Sequence, residues 1–75
     1  MKKNIGKKVK VIKKCMASYS TDFKGLYTTF ELGAGDEQYK FVGVIEDVVE
    51  LSNINKNTSN IFVKVYQFED CFKIV

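Results

Sequence analysis

The sequence predicts an all-β fold: a small, five-stranded, strongly bent antiparallel sheet or barrel with little or no helix. Three observations predict it. The chain has 75 residues and is 45% hydrophobic, enough for one core and not for two. Its apolar residues recur with a period of two and are rich in Val, Ile, Phe and Tyr. The runs are separated by Gly- or Asn-rich segments that favour chain reversal.

From Lys8 to Lys14, Val9 and Val11 face one way and Lys8, Lys10 and Lys14 the other, as in a half-buried strand. Ile5 continues the inward set, and Gly6 is a place to bend. Residues 1–6 read as a basic arm on the single domain 1–75. Met16 to Lys24 lack a period and read as a loop with one helical turn at most, anchored by Tyr19 and Phe23. Gly25 to Leu32 alternate as a second strand, and Gly33-Ala34-Gly35-Asp36 supplies a reversal. A third strand spans Gln38 to Leu51, with a bend or bulge where the alternation slips at Glu46 and Asp47. Asn53 to Asn60 form a turn region. Ile61 to Phe68 are the densest strand signal, and Glu69-Asp70 turn the chain into a last strand, Cys71 to Val75.

A strand, a long loop, three strands joined by hairpins and a short final strand together resemble an SH3-like barrel. An OB-fold needs a helix where only eight Asn-rich residues lie. The resemblance implies that the first and last strands pair antiparallel, which would bring Cys15 and Cys71 together. It says nothing of function.

The chain lacks His, Arg, Trp and Pro, and all 12 basic residues are Lys. Without His the commonest general base is missing, and no Cys-x-x-Cys pair offers a metal site. Cys15 lies beside Lys13 and Lys14, but strand lysines are ordinarily solvated. Gly33-Ala34-Gly35 is too short for a phosphate loop. The expectation is a non-catalytic binding module without cofactor or metal. No apolar run approaches the roughly 18–20 residues that cross a bilayer, so the expected location is cytoplasmic, without membrane association. Lys in place of Arg, with many Asn and Ile, points to an AT-rich coding sequence, as in low-GC bacteria and their phages.

Charge is segregated. Residues 1–14 hold seven Lys and no acid; the remainder holds five Lys and nine acids. Two partner surfaces follow. The acids Glu46, Asp47, Glu50, Glu69 and Asp70 would form a face for a basic groove on another protein, making the domain a regulator or inhibitor, of phage or mobile-element origin. This protein-binding reading is the first expectation. The alternative is a nucleic-acid-binding barrel in which Lys7, Lys8, Lys10 and Lys14 contact phosphates, with Tyr27, Tyr39 and Tyr66 as aromatic anchors. Both faces of the Ile61–Phe68 segment are apolar, so self-association is a further expectation.

Overall fold

The computed structural model describes residues 1–19, 29–35 and 38–75. The strands are β1 (Lys8–Val11), β2 (Cys15–Ser18), β3 (Thr29–Leu32), β4 (Gln38–Ile45), β5 (Val48–Asn53), β6 (Ile61–Lys64) and β7 (Phe72–Ile74). One helix, α1 (Val65–Cys71), lies between β6 and β7, and a single 3-10 turn spans Lys2–Asn4. The strands make one antiparallel sheet in the order β3-β2-β6-β5-β4-β1-β7, curled into a half-barrel.

The fold is mostly β, as expected, but the described residues form seven strands rather than five. The expected first strand stops at Val11, and Lys13 begins a bend into β2. Cys-Met-Ala-Ser carries little β signal of its own; cross-strand pairing of Cys15 with Leu32 and Ala17 with Phe30 holds it extended. The expected third strand is two strands. Ile45 pairs with Val48 around the two-residue turn Glu46-Asp47, so the slip in alternation marks a hairpin. The bulge lies at Val42, between the Phe41 and Gly43 registers. Gly33 to Gly35 do not close a hairpin either. The segment crosses from β3, at one edge of the sheet, to β4, which pairs with β5 and β1. The calls that fall on residues 20–28, Phe23 and Tyr27 included, lie outside the described residues.

The largest correction is α1. The sequence predicts a strand through Phe68, a turn at Glu69-Asp70 and a last strand from Cys71. Val65, Phe68 and Cys71 instead recur every three residues, and Phe68 and Cys71 are buried while Tyr66, Glu69 and Asp70 face solvent. Burial of that stripe outweighs the β-propensity of Val, Tyr and Phe.

The inner face of the sheet carries the core: Val9, Phe41, Val49 and Leu51 are fully buried, with Val11, Ile61 and Val63 beside them. The Phe68 ring packs edge-on to Phe41 at 5.3 Å and stacks on Phe72 at 5.2 Å, which seats α1 on that face. The first and last strands pair antiparallel, Val9 with Ile74 and Val11 with Phe72. Residues 1–7 are tied to β4: Gly6, at φ +89°, donates its N–H to the Phe41 carbonyl at 2.8 Å, and the Phe41 N–H donates to Lys7 at 2.9 Å. Ile5 does not join the inward set; it is exposed.

Two outcomes follow. Glu46 sits at φ +56°, where a side chain is disfavoured by about 1–2 kcal/mol, so Glu46→Gly is expected to raise the unfolding free energy in urea by up to about 1 kcal/mol after the unfolded-state entropy of glycine is offset. Phe68→Ala leaves a cavity under α1 and is expected to cost about 3–5 kcal/mol in the same measurement.

Candidate nucleic-acid interface

Strand β1 is flanked by β4 and β7, and its outward residues are lysines. The register sets Lys8 opposite Lys40 of β4, and Lys10 opposite Lys73 of β7. Residues directly opposite in antiparallel strands project to the same side, so Lys40, Lys8, Lys10 and Lys73 form one diagonal array on the outer face. The other face of these strands is core: Val9, Val11, Tyr39, Phe41 and Phe72 are buried. Among the described residues none of the four lysines has an ion-pair partner. Like charges set directly opposite are unfavourable in a sheet, yet here two such pairs adjoin.

Among the described residues, three lysines elsewhere are paired with acids, whereas Lys2, Lys3 and Lys7 of the N-terminal segment are not. Lys13 pairs with Asp70 at 3.3 Å, Lys14 with Glu31 at 3.5 Å and Lys64 with Asp47 at 3.2 Å. Of the four lysines singled out in the sequence, the structure brings Lys8 and Lys10 together. Lys7 is exposed just before β1, and Lys14 lies with Glu31 on the approach to β2. Sequence reasoning missed Lys40 and Lys73. Their signal was the alternation within Gln38–Val42 and Phe72–Ile74, but only the register across strands places them beside Lys8 and Lys10.

The acids are spread over several elements. Glu46 and Asp47 form the β4–β5 turn, and Asp47 is held by Lys64. Glu50, on β5, accepts a 2.7 Å hydrogen bond from the Asn60 amide. Glu69 and Asp70 lie on α1, and Asp70 is held by Lys13.

The named aromatics also separate. Tyr39 is buried, with its ring 6.5 Å from Phe72, so it belongs to the core and cannot serve as an exposed anchor. Tyr66 is 68% exposed on α1, and Tyr27 lies outside the described residues. Phe62 and Phe68, expected on one face with Tyr66, are half-buried and buried, because the chain turns helical between them. Tyr19 stacks on Phe30 at 4.3 Å, at the β2–β3 edge of the sheet.

A cleft of about 340 Å³ opens between β2 and α1, lined by Cys15, Met16, Tyr66, Gln67, Asp70 and Cys71. Both thiols are buried and free. Cys71 donates to the carbonyl of Lys14, the residue before Cys15, at 3.4 Å, so the two cysteines are neighbours. Burial pushes the Cys15 thiol up to about 12, with the adjacent Cys71 and then Asp70 adding to it. That thiol is protonated at neutral pH and is a poor nucleophile. No group of three or more metal-ligating side chains occurs among the described residues, and no helix there is long and apolar enough to cross a membrane.

No family model matches the chain, and no curated protein or solved structure matches it significantly.

Cys15 generates a pH dependence. Its folded pKa is raised above the ordinary 9.0, so the stability it supports is fully present below pH 9.0 and declines as pH rises toward about 12. Urea unfolding of the wild type is expected to weaken across that window, and Cys15→Ala is expected to flatten the decline. An equally steep decline in the variant would assign the effect to other groups.

Proposed function

We propose that this is a non-catalytic domain that binds the phosphodiester backbone of nucleic acid through Lys8, Lys10, Lys40 and Lys73. The observation that carries the reading is the two adjoining lysine pairs with no acid to neutralise them among the described residues. The sheet fixes the bases of these side chains, while their flexible stems leave the ammonium groups free to follow phosphates. Lysine acts as a point charge, and with Arg absent from the chain the bidentate contact to guanine is missing. Binding of this kind is sequence-independent and steeply salt-sensitive. Antiparallel pairing of the first and last strands supports reading the half-barrel as SH3-like, with β2, β3 and α1 elaborating the plan.

A second reading is the one the acidic residues first suggested, a regulator or inhibitor of another protein. Tyr66 and Met16, both exposed, flank the cleft beside α1, with Glu69 and Asp70 on the same helix. An exposed aromatic beside an apolar side chain suits a protein anchor.

The test is fluorescence anisotropy with mixed-sequence nucleic acid at low and physiological salt. Lys8→Glu/Lys10→Glu is expected to abolish binding, and Tyr66→Ser to leave it unchanged. Circular dichroism confirms that both variants are folded. Binding that survives the double charge reversal would remove the lysine array from the interface.

A further inference from the structure

Resting on the nucleic-acid reading above, we infer that the lysine array recognises duplex rather than single-stranded nucleic acid.

The argument begins with curvature. The core fills the inner, concave side of the curled sheet, so the lysines stand on its convex side. A convex surface offers no trench to enclose a flexible strand. Proteins that hold single strands combine a basic groove with aromatic rings on which successive bases stack. Here the other outward residues on these strands and on β5 are Gln38, Val42, Glu50 and Ser52, and Ile12 follows β1 on the same side. No ring of β1, β4, β5 or β7 stands on this face; the outward ring of the next strand, Phe62 of β6, is half-buried opposite Glu50. The rings of β4 and β7, Tyr39, Phe41 and Phe72, are committed to the core. The exposed aromatics lie elsewhere, Tyr19 at the β2–β3 edge and Tyr66 on α1. Stacking, the main non-ionic source of single-strand affinity, is therefore missing at the array.

The shape of the charge gives the second argument. Three strands span two inter-strand spacings, about 10 Å, and Lys8 and Lys10 are about 6.7 Å apart along β1. The four ammonium groups thus cover an area rather than a line. A single strand presents phosphates in a line. A duplex carries one charge per about 1.7 Å of axis, on two backbones separated by grooves of about 6 and 12 Å. Lys40 at one side of the array and Lys73 at the other are separated by a distance comparable to those widths, so lysines at opposite ends can meet phosphates of opposite strands. The convex face then lies over a groove without reading its base edges.

The experiment compares a mixed-sequence duplex with each of its two constituent strands, by anisotropy across about 50–200 mM salt. The expected result is duplex binding about tenfold tighter than to either strand. With four phosphate contacts, the duplex slope of log affinity against log salt is expected near −3.6, against about −2.8 for a single strand. Lys40→Gln and Lys73→Gln, which lie outside the basic N-terminal segment, are each expected to reduce the duplex slope by about 0.9. Equal or tighter binding to single strands overturns the duplex inference and leaves the nucleic-acid reading standing. Binding to neither overturns that reading itself. Binding only to vesicles of anionic phospholipid overturns both and assigns the array to a membrane surface. Unchanged slopes in folded Lys40→Gln and Lys73→Gln, with duplex still bound, overturn the array as the contact surface.

Discussion

The packing of Phe68 against Phe41 and Phe72 is the contact on which the rest of the structure depends. A single sheet with one apolar face must cover that face or lose its core to water. Here seven helical residues cover it. The helix packs against β2, β5, β6 and β7, so it bridges the two arms of the half-barrel. At its end Cys71 accepts the Ile12 N–H through its carbonyl at 2.7 Å, and its thiol donates to Lys14. The last turn of α1 therefore fixes where β1 stops and where β2 starts. It also delivers β7 directly onto β1, because Phe72 follows Cys71 in the chain and enters the core beside Val11.

That delivery creates the lysine array. Phe72 is anchored inward, so Lys73 must point outward, and the register sets it opposite Lys10. On the other flank the buried Tyr39 and Phe41 force Lys40 outward, opposite Lys8. The outer charges are thus placed by the inner packing. Elsewhere the surface balances its charge through exposed pairs such as Lys13–Asp70 and Lys64–Asp47, each of little energetic consequence. Those pairs contrast with the two adjoining like-charged pairs of the array, on which the proposed reading rests.

The thiols belong to the structural side of this division. Cys15 and Cys71 sit where β2 meets α1, and burial holds the Cys15 proton well above neutral pH. They act as small apolar side chains that let the helix approach the sheet closely. The residues around the cleft above them, Met16 and Tyr66, are the most conspicuous apolar groups on that side of the surface.

The sequence by itself determined the mostly β class of the fold, the inward side of Val9 and Val11, the shared face of Ile61 and Val63, and the half of the array on β1. These are local patterns: a period of two fixes which side a residue takes, whatever its partners are. It could not determine that Val65 to Cys71 are helical, because a seven-residue segment rich in Val, Tyr and Phe has strand propensity, and only the uncovered inner face of the sheet makes the helical stripe favourable. Nor could it determine β2, whose extension comes from pairing with β3, or the burial of Tyr39, which follows from the curl of the sheet. The other half of the array, Lys40 and Lys73, was decided by the tertiary structure alone. Lysines 33 positions apart become neighbours only when the same strand pairs on both sides, and register between distant strands is set by core packing rather than by the residues that face water.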